Sequence, residues 1–314
     1  MTTNKNQYCK RSLFNYMNEL VLRKRSAGKD ATADLYRATS NWLLKFVNNQ
    51  IRYLPDITPD FVDNYKCYLE SLGTLKVNTI NSYLSAFRAM YNTIARDVLF
   101  QPKLHPFAHI TIRLEKTPKR AVTKDVFEKI IALDLRDEPE LEFAADLCIF
   151  SYLACGMPFI DLAHLTRKNI DGDTLVYNRT KTHTPVRVNI TPGMRWLLDK
   201  YVLAESHFLF PILPADGTVT YEHYKSILRK YNKNLTKTGE RVGLQTPLTS
   251  YVIRHTWASE ALRHFVPVAI ISQALGHTSE KTTRYYLAQL DLSELQKANL
   301  LVTGALDDLV RKGA

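Results

Sequence analysis

Cysteine is sparse and scattered. The 314 residues hold four (Cys9, Cys67, Cys148, Cys155) with no CxxC pair, which argues against zinc and against a disulfide framework. Glycine (11) and proline (13) are too few for a low-complexity chain. No run of about 18 uncharged apolar residues exists, so no membrane span is expected. The opening MTTNKNQYCKRS lacks the apolar core of a secretory signal, and a cytoplasmic protein is the expectation. No GxxxxGK[ST] loop is present to cradle a nucleotide, and no cofactor or metal is implied.

Hydrophobic residues make up 45% and charged residues 23%, enough for a packed core. The length suits about two domains. Lys and Arg number 42 against 31 acidic residues, a net charge of +11. That balance favours a polyanionic partner, of which nucleic acid is the commonest. Charge alone does not separate this from an incidentally basic protein.

The first hundred residues read as four helices with short connections, a small bundle. Leu13, Met17, Leu20 and Val21 recur at helical spacing, with Gly28 as a stop. Leu35, Trp42, Leu43, Phe46 and Val47 mark a second helix. Thr58, Pro59 and Asp60 give an N-cap and first turn to a third, with Phe61, Tyr65, Tyr68, Leu69 and Leu72 on its apolar face and Gly73 closing it. The fourth runs from about Asn78 to Arg96, with Ile80, Leu84, Phe87, Tyr91 and Ile94 inward. Residues 101–125 hold three prolines and no sustained period, and Thr123 is placed to cap the next helix. Pro139 opens a long apolar helix that Gly156 ends, and Pro158 opens a short one. Thr174–Asn178 and Pro185–Ile190 form a hairpin across RTKTHT. Thr191–Pro192 and Pro267 open further helices, the last ending at Gly276. No internal repeat is evident.

Three features carry the candidate chemistry. Lys181 lies in the hairpin connection. Tyr251-Val252-Ile253-Arg254-His255 lies on a helix, with Tyr251 and Arg254 three apart. The third is Leu275-Gly276-His277-Thr278-Ser279-Glu280-Lys281-Thr282-Thr283-Arg284-Tyr285-Tyr286. Each alone has a plain reading: a solvated arginine, a loop histidine, a packing tyrosine among 17. Order and spacing together change this. The chain resembles the tyrosine recombinases, or phage-integrase family, whose text is H-x-L-R-H followed by L-G-H-x-S-x-x-T-T-x-x-Y. The resemblance covers nearly the whole chain. Counting from His277 puts the nucleophile at Tyr286, not Tyr285.

The resemblance implies a mainly α fold: a helical N-terminal core-binding (SAM-like) bundle, then a mixed α/β catalytic domain, mostly α with a small antiparallel sheet. It sets a core-binding domain at 1–113, a basic linker at 114–124, a catalytic domain at 125–290 and a tail at 291–314 that docks on a neighbouring protomer or packs in cis. It implies site-specific cleavage and rejoining of double-stranded DNA through a 3′-phosphotyrosine, by an integrase or invertase of a mobile element acting at the nucleoid. It also implies a homotetramer on two DNA sites. Tyr286 would attack phosphorus and Arg254 would fork onto its oxygens. His277 would donate to the same oxygens, and Lys181 would protonate the leaving 5′-oxygen. Tyr251 stands where the family has histidine and would assist by hydrogen bonding. The two domains would clamp duplex DNA, with Lys116–Lys124 tracking the backbone. Lys76, Arg88 and Arg96 are candidate phosphate contacts, although each also reads as an ordinary solvated charge.

One family position is missing. The text G-[ML]-R-x-x-E-L becomes Gly156-Met157-Pro158-Phe159-Ile160-Asp161-Leu162, and the alternative R-G-M has Cys155 in place of arginine. Proline offers phosphate neither a side-chain donor nor an N–H. Arg187 and Arg167 are candidate substitutes. Cys155 reads as a buried small residue, and Asp161 as a helix cap rather than a catalytic group. Two rival readings follow: a recombinase relative reduced to DNA binding or regulation, and a helix-turn-helix regulator. The second leaves Lys181 and the spacing to Tyr286 unexplained.

Binding through phosphates releases counterions, so affinity for duplex DNA falls steeply with salt. With six to ten phosphate contacts the loss between 50 and 200 mM salt is about 10³–10⁵-fold, and a flat response in a salt titration contradicts this mode.

Overall fold

The computed structural model describes residues 12–112, 115, 121–202 and 205–287, with nothing said of the side chains of 285 and 286. The chain divides into two compact units, Met1–Thr117 and Pro118–Ala314. The tail from 291, and 116–120 of the basic segment, lie outside the described residues.

The first unit is helical: α1 (Leu13–Ser26), α2 (Asp30–Phe46), α3 (Pro59–Ser71) and α4 (Val77–Asp97). The Thr58 hydroxyl accepts from the Phe61 N–H and Pro59 takes the first turn, so α3 starts where its cap chemistry sets it. Leu84, Phe87, Tyr91 and Ile94 of α4 meet Tyr65 and Leu69 of α3 and Leu13 and Met17 of α1 in one core. The face of α2 differs from expectation. Ala33, Tyr36, Thr39 and Leu43 are buried, while Leu35, Trp42 and Phe46 pack partly buried at its margin. Small residues on the inner side let α2 approach closely, and the Thr39 hydroxyl donates to the Leu35 carbonyl within its own helix.

The second unit adds α5 (Asp125–Ile131), α6 (Pro139–Leu153), α7 (Phe159–Ala163), α8 (Pro192–Tyr201), α9 (Tyr221–Arg241), α10 (Ser250–Arg263), α11 (Val268–Ala274) and α12 (Glu280–Tyr286). Between α7 and α8 lies an antiparallel sheet in the order β1 (Ile170–Asp171), β2 (Thr174–Asn178), β3 (Pro185–Asn189). Its central register pairs Val176 with Arg187 and Tyr177 with Val186. Leu175, Tyr177, Val186 and Val188 point into the core, as alternation requires. Thr191 caps α8 through the Met194 N–H.

Three features depart from the sequence reading. Thr123 does not cap α5: Lys124 holds the cap position and no side chain caps the helix there. The hairpin gains β1, too short to show a period, and β3 ends at Asn189. Helix α9 had no counterpart at all. Its inward residues, Tyr221, Tyr224, Ile227, Leu228, Tyr231 and Leu235, recur at helical spacing in an otherwise polar run, a stripe the sequence reading passed over. It is fixed to the start of α6 by Lys230–Glu140 at 2.6 Å and by Arg241 to Glu138. No helix among the described residues is long and apolar enough to cross a membrane.

Candidate active site

Arg254, on α10, is 4% exposed. Its Nη1 donates to the Gly156 carbonyl at 3.0 Å, and its Nη2 to the Leu275 carbonyl. The fork is thus oriented by main-chain oxygens from the turn after α6 and the end of α11. Gly156 permits the approach. It sits at φ +66°, and a Cβ there would lie 2.8 Å from the Arg254 Cα.

Arg254 Nη2 also lies 3.2 Å from His277 Nε2. Guanidinium only donates, so Nε2 is the accepting nitrogen. His277 Nδ1 lies 2.8 Å from the Thr283 Oγ1, which places the imidazole proton on Nδ1, donated to that hydroxyl. Burial, then the charges of Arg254, Arg179 and Lys181, push His277 down from 6.5 to about 4, so the ring is neutral at physiological pH. In the free protein the ring therefore accepts from Arg254. Thr283 is fully buried and stands three residues before Tyr286 on α12. The backbone of Tyr286 ends that helix, while its side chain lies outside the described residues.

Lys181 is exposed in the β2–β3 turn, and that turn is tethered twice. The Thr180 N–H donates to Asp161 Oδ1 at 2.8 Å, and the Thr182 hydroxyl donates to the Gly276 carbonyl at 3.0 Å. One tether holds the hairpin to α7, the other to the residue before His277. The structure thus brings Lys181, Arg254 and His277 to one corner of the unit. Tyr251 stands at the margin of α10, 52% exposed, its ring edge-on to His255 with centroids 4.3 Å apart. Three-residue spacing does not give it the burial of Arg254.

Asp161 is no helix cap. It is 4% exposed, accepts from Thr180, and lies 3.2 Å from Arg179 Nε. Cys155 is half-buried at φ +58°, and burial raises its thiol to about 11, which suits an inert spacer. Pro158 holds the cap position of α7. Neither proposed substitute for the missing arginine stands inside. Arg187 is exposed on the outer face of β3, and Arg167 is exposed in the turn before β1.

The sequence reading missed Arg179, Thr182 and Thr283. For Arg179 a signal existed. Leu175 and Tyr177 face the core, and alternation carries position 179 to the same side. Arg179 is 6% exposed. A buried arginine needs an acid, and Asp161, read from the sequence as a helix cap, is that acid. Fixed guanidinium donors, a neutral imidazole and an ammonium on a tethered turn together make a site that attracts an oxyanion.

Residues 12–110 match the phage integrase SAM-like domain, and residues 120–292 match the phage integrase family. The tyrosine recombinase XerD of Bradyrhizobium diazoefficiens is 33% identical over 296 residues, covering 85% of this chain and 89% of the relative. The tyrosine recombinase XerC of Chlamydia trachomatis is 26% identical over 241 residues, covering 71% of each. In fold, the Tn1549 transposon integrase in complex with circular intermediate DNA matches with a TM-score of 0.66 at 15% identity, covering 93% of this chain and all of that one. The chain belongs to the phage integrase family, with the family's SAM-like domain ahead of its catalytic one.

Gly156→Ala combines left-handed strain, worth about 1–3 kcal/mol, with a clash against Arg254. It is expected to lower stability in denaturant titration by at least that amount. His277 supplies a pH test. An unfolded imidazole titrates near 6.5 and the folded one at about 4, so the unfolded chain takes up the extra proton. The contribution to stability is complete above 6.5 and is lost as pH falls toward 4. With half-burial it is on the order of 1–2 kcal/mol. His277→Gln is expected to flatten that part of the stability–pH curve, and an unchanged slope contradicts the neutral-ring assignment.

Proposed function

We propose that this chain, a tyrosine-type site-specific recombinase, cuts and rejoins double-stranded DNA with Tyr286 as nucleophile and Arg254, His277 and Lys181 as its fixed partners. Tyr251 assists from the margin. The observation that carries the reading is the convergence of the Arg254 fork, His277 and the tethered Lys181 turn, with His277 bonded to the helix that ends at Tyr286.

The chemistry follows from those groups. A lone pair of the Tyr286 phenol oxygen forms the new P–O bond. The P–O5′ bond breaks, its electron pair stays on the 5′-oxygen, and the Lys181 ammonium supplies a proton there. The phenol proton passes to solvent and Lys181 regains from solvent the one it gave, so the step is proton-neutral and needs no nucleotide. The 3′-phosphotyrosine keeps the bond energy, and a second DNA hydroxyl reverses the reaction onto a new partner. Arg254 offers donors already oriented by two carbonyls, so little reorganisation is needed as charge develops. An arriving phosphate brings negative charge beside His277 and favours its protonation, which turns the accepting ring into a donor.

Residues 1–113 would serve as the core-binding domain, 114–124 as the linker and 125–290 as the catalytic domain. Four protomers on two DNA sites, with 291–314 docking on a neighbour, would complete the assembly at the nucleoid of a cell carrying the mobile element. A protein that only occupied DNA would gain nothing from a buried arginine and histidine aligned beside a tethered lysine, which disfavours the regulatory alternative.

A suicide duplex nicked beside the scissile phosphate tests this. Wild type is expected to trap a covalent complex and Tyr286→Phe none. Lys181→Ala is expected to slow cleavage by about 10²–10⁴-fold. Its rate should recover on a duplex with sulfur at the leaving 5′ position, because a thiolate departs without a proton. Equal loss on both duplexes contradicts the role of Lys181.

A further inference from the structure

The family arginine that should grip the scissile phosphate is absent at both Cys155 and Pro158. We infer that Arg179 takes its place: a catalytic residue reaching the same phosphate from the end of β2 rather than from the turn before α7. The inference rests on the recombinase reading above.

Arg179 follows β2 on the core-facing side, in register with Leu175 and Tyr177. Its position is built from three directions. Asp161 Oδ2 lies 3.2 Å from its Nε. Asp161 is on α7, one helical turn from Pro158, so the guanidinium is held beside the segment that lost its arginine. The Arg179 carbonyl accepts from the His183 N–H at 2.7 Å, closing the turn that carries Lys181. Gly276 makes room for the stem. It sits at φ +62°, and a Cβ there would stand 2.5 Å from the Arg179 Cγ. The next residue is His277, which feels the charges of Arg254, Arg179 and Lys181 together.

The guanidinium is not used up by its acid. Neither Nε nor Asp161 Oδ2 achieves hydrogen-bond geometry with the other, and Nη1 has no hydrogen-bond partner among the described residues. A purely structural buried arginine would be expected to satisfy its donors, because idle ones are costly away from water. Nε and Nη1 are sealed from solvent, so an arriving phosphate engages them as the Arg179–Asp161 pair shifts to admit it. The charges also agree. Arg254, Arg179 and Lys181 against Asp161 leave an excess of two positive charges, which suits the doubly charged phosphorane of an in-line displacement.

Arg187, the other hairpin arginine, fails on register. It alternates with Val186 and Val188 and so faces outward. Moving the grip from α7 to β2 keeps the chemistry and changes only the element that delivers it.

The test uses the full chain. Its cleavage site is first recovered by covalent capture from a pool of random duplexes. Suicide duplexes of that site are then made with an ordinary scissile phosphate or with a methylphosphonate, which lacks the negative charge. Removing Arg179 alone strands a buried carboxylate, so Asp161→Asn is compared with Asp161→Asn/Arg179→Met, in which both buried charges are gone. On phosphate, loss of Arg179 is expected to slow adduct formation by about 10²–10³-fold. On methylphosphonate the two variants should agree within about fivefold, because the phosphorane then carries one negative charge rather than two and Arg254 alone meets it. Equal loss on both substrates means that Arg179 only supports the fold and overturns the assignment, as does no loss on either. If wild type itself forms no adduct, the recombinase reading falls and this inference falls with it. A reactive wild type beside an indifferent Arg179 variant removes the inference alone.

Discussion

The second unit is arranged around a guanidinium taken out of water. Arg254 must have its donors filled, and carbonyls of two separate turns meet that need. Much of the local sequence follows. Gly156 has no side chain because a Cβ would run into the Arg254 backbone. Cys155 takes a left-handed conformation beside it. Helix α11 stops where Leu275 can turn its carbonyl inward. Carbonyl partners satisfy hydrogen bonds without cancelling charge, so the corner stays positive and attracts an anion.

The histidine answers to the same constraint. His277 Nε2 faces a group that only donates, so the ring stays neutral and passes its proton to Thr283. That bond joins the loop after α11 to α12, the helix whose last residue is Tyr286. One hydrogen-bonded chain therefore runs from the Leu275 carbonyl through Arg254 and His277 to α12. The position of α12 and the orientation of the Arg254 fork are parts of one network, and disturbing either end is felt at the other.

How much of this was legible depended on which physical rule carried the information. Helix α3 was readable because the Thr58 cap and Pro59 coincide with an apolar stripe, and α4 by its stripe alone, Ile80 through Ile94. Helix α9 had the signal too, Tyr221, Tyr224, Ile227, Leu228, Tyr231 and Leu235 at helical spacing, but diluted by the lysines, arginines and asparagines of its outer face. Arg254, His277, Lys181 and Tyr286 were legible as an ordered motif, since each lies in a spaced text. Asp161 and Arg179 lie 18 positions apart and become a pair only once the hairpin folds back onto α7. Tyr251 shows the limit of helical spacing. Three residues from Arg254 it shares a nominal face, yet α10 enters the core between them.

The hairpin concentrates more function than its length suggests. Lys181 and Arg179 sit two residues apart on one turn, and the same two tethers, Thr180 to Asp161 and Thr182 to Gly276, place both. A strand end suits an arginine because alternation sends every second side chain inward without a helix having to present it. A turn suits a lysine that must reach an oxygen leaving phosphorus. The inward side of the strand end therefore carries a fixed charge, and the exposed turn carries the lysine proposed as the proton donor. On the proposed assignment, the arginine missing at Pro158 is replaced from an element that the two tethers already hold beside His277.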